Sequence, residues 1–177
     1  VYKFGPAGEL LLTLGERGVP GRDAGHFNMP SGVAVAADGS FYVSDGYGNA
    51  RVLHFAPDGR LLRQWGDSGS GPGQFDLVHG VALGPDGRVH VADRENERVQ
   101  LFSPDGRFLG QWRSDSLGKP FALAAGIQAG FYELRKQMSA ADAFAVLTDP
   151  ANIRTSQVPV PEGLRVVDIV GLDKQAD

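Results

Sequence analysis

"YVSDGYGNARVLHFAPDG" (residues 42–59) recurs as "HVADRENERVQLFSPDG" (residues 90–106). The shared skeleton is an aspartate, an asparagine two positions before an arginine, a valine, and a Phe-x-Pro-Asp-Gly turn. The copies differ after the aspartate: Gly46, Tyr47 and Gly48 follow Asp45, whereas Arg94 and Glu95 follow Asp93. Working outward, "FGPAG" (4–8), "FAPDG" (55–59) and "FSPDG" (102–106) are three copies of the turn, 51 and then 47 residues apart. Each precedes a short apolar run, "ELLLTLG", "RLLRQWG" or "RFLGQW". "GHFNMPSGVAVAADG" (25–39) and "GQFDLVHGVALGPDG" (73–87) repeat with an offset of 48. The chain therefore holds two full periods preceded by half of a third.

Within one period the pattern predicts four strands: Gly32–Ala36, Phe41–Ser44, Arg51–Phe55 and Leu61–Trp65. The Asp-Gly pairs between them are hairpin chemistry, because glycine accepts the positive φ that tight turns demand. Four short strands per period of about 40–50 residues is the arithmetic of a β-propeller blade. The expected fold is mainly β: a partial propeller of about two and a half four-stranded blades over residues 1–112. Propellers close with about four to eight blades, so apolar faces and strand edges are left open. Self-association through those edges is expected. Three chains of two blades each would make six.

Composition narrows the function class. The 177 residues carry 17 basic and 21 acidic side chains, net −4, which disfavours nucleic acid as a partner. There are no cysteines, hence no disulfide or thiolate metal site. No apolar run approaches the ~20 residues of a membrane span. No signal peptide opens the chain, because Val1 begins directly in a strand-like "VYKF".

The D…N-x-R-V strand with its F-x-P-D-G turn resembles the NHL repeat. More narrowly, "VSDGYGNARVLHFAPDGRLLRQWGD" and "VHGVALGPDGRVHVADRENERVQLF" resemble peptidyl-α-hydroxyglycine α-amidating lyase, as does "LTLGERGVPGRDAGHFNMPSGVAV" upstream. The resemblance covers residues 1 to about 112. It implies a six-bladed propeller that cleaves a C-terminal α-hydroxyglycine into a peptide amide and glyoxylate. It also implies a zinc ion on the axis, held by three histidines from alternate blades. On this resemblance Tyr47 is the catalytic tyrosine that takes the substrate hydroxyl proton, Arg94 an active-site arginine, and His79 one zinc ligand. Ser31 stands 48 residues before His79, so one of two adjacent blades carries the ligand. The other two histidine-bearing blades have no counterpart, which leaves the expected site incomplete in this chain. Animal members carry a cysteine where this chain has Gly48.

Simpler roles stay open for each residue. Tyr47 suits a loop aromatic packed between blades, Arg94 a surface partner of Glu95 or Glu97, and His79 a hydrogen-bonded strand residue. Asp45 and Asp93 are expected to be structural, accepting loop N–H bonds. His54 stands where the next blade has Leu101, so packing is its expected role. His26 and His90 have no partner pattern.

From about Arg113 the repeat motifs stop. "RSDSLGKP" (113–120) is a polar joint, and residues 121–177 are expected to form a small, truncated α+β module. "SAADAFAVLTDP" (139–150) suits a helix with Ser139 as N-cap and Pro150 as its stop. "AGIQAGFYELRKQMSAADAFAVLTDP" and "VPVPEGLRVVDIV" resemble the LysM-like module of membrane-anchored endolytic murein transglycosylases. That resemblance implies peptidoglycan as a partner, and Glu162 as a turn residue rather than the catalytic acid. A fragment, a fusion, or a non-catalytic protein- or peptidoglycan-binding chain all fit such a composite. Both families work outside the cytoplasm, so an extracytoplasmic location is expected by analogy.

Overall fold

The computed structural model describes residues 1–113 and 118–123. The chain divides into two compact units, Val1–Leu123 and Ala124–Asp177. The helix and strands expected beyond Ala124 lie outside the described residues.

The first unit is all sheet. A hairpin of β1 (Tyr2–Phe4) and β2 (Leu10–Thr13) comes first. An antiparallel sheet follows, with β3 (Pro30–Val35), β4 (Phe41–Asp45), β5 (Arg51–Phe55) and β6 (Leu61–Trp65) in sequential order. A two-stranded parallel pair, β7 (Asp67–Ser68) and β8 (Gln74–Phe75), leads into a second antiparallel sheet. That sheet contains β9 (Val78–Leu83), β10 (Val89–Asp93), β11 (Arg98–Phe102) and β12 (Phe108–Arg113), again in sequential order. The four strands expected in one period are all present, the first running Pro30–Val35. Two successive four-stranded meanders with β3 beside β9 are two propeller blades.

The turns work as their residues require. Gly59 has φ 89°, its N–H donates to Ala56 O, and Asp58 Oδ1 accepts the Arg60 N–H. Gly87 and Asp86 repeat this arrangement with Arg88. A tight hairpin turn closed by a glycine in the left-handed region is a common connection between antiparallel strands.

Blade strands bury both faces, and the alternation of side chains decides which neighbour each meets. From the first blade, Tyr42, Ala50 and Val52 join Phe75, Val78, Val81, Val89, Val91 and Phe102 of the second in one core. Phe41, Val43, Leu53 and Phe55 point the other way, onto Val1, Leu12 and Leu14 of the β1–β2 hairpin. Each such large apolar side chain contributes roughly 1.5–3 kcal/mol when fully buried. The hairpin covers only part of that face. Val33 and Val35 of β3 stay exposed, and so do Tyr2 and Phe4 of β1. Tyr2 and Phe4 stand where the first blade has Leu53 and Phe55, which are 0% and 1% exposed.

His54 packs, as its place in the pattern suggests. Its ring lies flat on Tyr42, with centroids 4.0 Å apart and planes at 10°. Burial pushes its pKa below the ordinary 6.5, while the Asp38 charge partly opposes the shift. A histidine held neutral in the folded state resists protonation there while the unfolded chain protonates freely. Stability is therefore retained above pH 6.5 and falls as pH drops below it, levelling off beneath the folded value. His54→Leu, the residue used at Leu101, should remove this acid-side loss, as urea unfolding at pH 7.5 and 5.5 would show. Equal pH dependence in the two proteins would refute it.

Candidate active site

The two blades share one polar frame, and it explains the motif. In the second blade, Asp93 Oδ1 accepts the Asp76 N–H at 2.7 Å. Its Oδ2 accepts from Asn96 at 2.9 Å, Arg98 Nε at 2.6 Å and Gln100 at 3.0 Å. Arg98 spends its other donors on the carbonyls of Ser70, Gly71 and Gln74 and on Gln111 Oε1. In the first blade, Asp45 accepts from Asn28 N–H, Asn49 and Arg51 Nε at 2.9, 2.7 and 2.9 Å. Arg51 also reaches His26 O and Gln64 Oε1. Asp45 and Asp93 are fully buried, and Arg51 and Arg98 nearly so, a combination stable only when every donor and acceptor is met.

This frame carries the divergent loops. Tyr47 N–H donates to Met29 O and Gly48 N–H to Asn28 O. Arg94 N–H donates to Leu77 O and Glu95 N–H to Asp76 O. Met29 and Leu77 both sit in the left-handed region, at φ 58° and 63°, a strained conformation repeated at one place in each blade. By these bonds Tyr47 and Arg94 occupy one structural position in consecutive blades. Gly46 is the extra residue of the first loop. Its backbone runs so close to β9 that a Cβ there would lie 1.7 Å from Val78 O.

That close passage delivers Tyr47 to the neighbouring blade. Its hydroxyl lies 3.0 Å from His79 Nε2, and the rings meet edge to face with centroids 5.6 Å apart. His79 Nδ1 is hydrogen-bonded to Phe121 O. A carbonyl only accepts, so Nδ1 carries the proton. In the neutral imidazole, Nε2 then accepts from the phenol. Ser31, at the His79 position of the first blade, donates to Val78 O at 2.6 Å. Both residues thus fasten an inner strand to the next segment of chain.

Arg94 reaches the same cluster through Phe121. Its guanidinium carbon stands 4.2 Å from the centre of the Phe121 ring, which also meets the His79 ring at 4.9 Å. Arg94 Nη1 pairs with Glu95 at 2.9 Å, and Lys119 pairs with Glu95 in turn. The Lys119 ammonium bonded to Glu95 holds its carboxyl below the usual range, with Arg94 adding to the effect. Tyr47 is half-exposed and Arg94 largely covered. Tyr47, His79 and Arg94 are therefore brought together, the first two in direct contact and the third across one ring. Phe121 and Lys119 were not anticipated from sequence, whereas the pairing of Arg94 with Glu95 was one of the simpler roles left open for it. Phe121 lies in no strand and carries none of the repeat motifs, so spacing did not point to it.

His26, His54 and His90 take no part. His26 pairs with Asp23, and His90 packs on Trp112. Among the described residues no group of three or more His, Cys, Asp or Glu side chains surrounds a point where a metal ion would sit. A catalytic zinc takes three protein ligands, and His79 supplies one imidazole with both nitrogens already engaged. The described residues alone do not fit such a centre. What the cluster offers is a phenol oxygen, an imidazole and a guanidinium linked through the Phe121 ring.

The NHL repeat family matches residues 27–55 and 75–102. Peptidyl-glycine alpha-amidating monooxygenase of Mus musculus is 41% identical over 106 residues, 55% of this chain and 11% of that protein. The probable peptidyl-alpha-hydroxyglycine alpha-amidating lyase of Caenorhabditis elegans is 46% identical over 56 residues, 32% of this chain and 16% of that protein. Peptidyl-alpha-hydroxyglycine alpha-amidating lyase 2 of Drosophila melanogaster is 44% identical over 63 residues, 35% and 16% respectively. The matches thus span less than one fifth of these relatives. A streptogramin B lyase structure superposes with a TM-score of 0.52 at 17% identity, over 71% of this chain and 37% of that one, which supports the fold alone. Residues 27–55 and 75–102 thus match the NHL repeat and fold as β-propeller blades, and the chain is similar over part of its length to the peptidyl-α-hydroxyglycine α-amidating lyases.

Proposed function

We propose that this chain carries the tyrosine–arginine sector of a peptidyl-α-hydroxyglycine lyase site. The observation that carries the reading is the convergence of Tyr47 and Arg94, from equivalent positions of adjacent blades, on His79 and Phe121. In this reading the Tyr47 phenol passes its proton to His79 Nε2, 3.0 Å away, and the resulting phenolate oxygen takes the proton of the substrate hydroxyl, general-base chemistry that needs hydrogen-bond reach. The alkoxide collapses to the aldehyde of glyoxylate as the C–N bond breaks. The proton then goes to the departing amide nitrogen, so atoms and charge balance. Arg94 steadies the negative charge on oxygen through the transition state. His79, the expected zinc ligand, is committed through both ring nitrogens to Phe121 O and Tyr47, so no step is assigned here to a metal.

Titrating the full chain with a peptidyl-α-hydroxyglycine, followed by NMR, tests the reading. Resonance shifts should concentrate at Tyr47, His79 and Arg94 and disappear in Arg94→Ala, with glyoxylate release at the uncatalysed rate. Shifts confined to other residues, or none at saturation, would overturn the assignment. Turnover abolished by Tyr47→Phe would keep the reaction class and refute the incompleteness of the site.

A further inference from the structure

The chain that follows the second blade crosses the Tyr47–His79–Arg94 cluster. Pro120 is buried, and Phe121 O lies 3.4 Å from the place a Cβ on Gly80 would take, so this segment runs against β9. The Phe121 ring is 54% exposed, so burial does not account for its position. It nevertheless meets two site groups at once. Its centre stands 4.9 Å from that of the His79 imidazole and 4.2 Å from the Arg94 guanidinium carbon. A ring at those separations fills the space between His79 and Arg94. The Phe121 carbonyl accepts the His79 Nδ1 proton, and Lys119 ties the segment to Glu95 beside Arg94.

This closed arrangement carries a penalty. Arg94 Nε is shut off from solvent without a hydrogen bond, whereas the Nε atoms of Arg51 and Arg98 each donate to a buried aspartate. A buried charged donor left unmet is costly, and lifting the ring would let water meet it. The contacts that hold the ring are an edge-to-face pair, a cation–π contact and an exposed ion pair, each weak on its own. We propose that residues 119–121 are an autoinhibitory strap, whose Phe121 ring closes the cluster and must be displaced before a ligand can touch His79 and Arg94 together. The apparent affinity of such a ligand is reduced by the fraction of chains that are open. The inference rests on the reading of Tyr47, His79 and Arg94 as one site, and it adds the element that regulates access to it.

The test follows exchange of the Arg94 Nε–Hε proton with water by NMR in the full chain, with Arg51 and Arg98 as internal references. Phe121→Ala combined with Lys119→Glu removes the ring and sets a like charge against Glu95. Both positions are exposed, so the blades should fold unchanged. Arg94 exchange should quicken about tenfold or more in the double variant, while Arg51 and Arg98 keep their slow rates. The double variant should also bind a peptidyl-α-hydroxyglycine about three- to tenfold more tightly than the parent. Equal Arg94 exchange in the two chains would overturn the strap. Faster exchange with the peptide bound equally by both would overturn its inhibitory role and leave the site reading standing. Faster exchange with no peptide bound by either chain would overturn the site reading instead, with the ring still shown to be a movable cover.

Discussion

Asp93→Ala should cost the blade unit about 3–5 kcal/mol, a large share of the roughly 5–15 kcal/mol typical of a domain. The carboxylate is fully buried and accepts four hydrogen bonds, one from the Asp76 main chain and three from Asn96, Arg98 and Gln100. Its loss leaves the Arg98 guanidinium as a buried charge facing only carbonyl and amide oxygens, which cannot neutralise it. Arg98→Leu should cost a comparable amount, because the carbonyls of Ser70, Gly71 and Gln74 lose a shared donor. The two losses should not add, since each already breaks the same network. Urea unfolding gives the answer as a lowered midpoint at unchanged slope. A loss below about 1 kcal/mol, the range of exposed ion pairs, would mean the frame does not hold the blade.

The residues of that frame were only partly legible. The strands, the turns and the repeat followed from spacing, because alternation and Asp-Gly turns are local signals. The expectation that Asp45 and Asp93 accept loop N–H bonds holds in both blades. Spacing could not show that Arg51 and Arg98 are buried, since an arginine in a strand is ordinarily placed at the surface. Nor could it align the two loops. Counting from the aspartate sets Gly46 opposite Arg94, whereas the main-chain bonds set Tyr47 there and expose Gly46 as the inserted residue. The meeting of Tyr47 with His79 depends on how adjacent blades pack, which a repeat implies but does not measure. Phe121 escaped notice because the turn motifs end before it.

Gly46→Ala should cost less stability than the loss of Asp93, but its effect falls on the site itself. The glycine is needed for space rather than for φ. A methyl group at that position would lie 1.7 Å from Val78 O, 2.5 Å from Val78 C and 2.8 Å from Val78 Cα. These are main-chain atoms of a paired strand and cannot swing aside. Overpacking of this kind costs about 1–3 kcal/mol, and relief requires the Tyr47 loop to lift from β9. Because Tyr47 follows directly, lifting the loop should draw its hydroxyl away from His79 Nε2.

The contact between those two rings tests the central claim, that a duplicated loop frame holds Tyr47 against the next blade. The measurement is the nuclear Overhauser effect between the Tyr47 and His79 ring protons, with the Tyr42–His54 stack at 4.0 Å as internal reference. Both cross-peaks should appear in the parent chain. In Gly46→Ala only the Tyr42–His54 peak should survive. A parent chain that shows the reference peak and no Tyr47–His79 peak would contradict the account, as would a Tyr47–His79 peak unchanged by the added methyl.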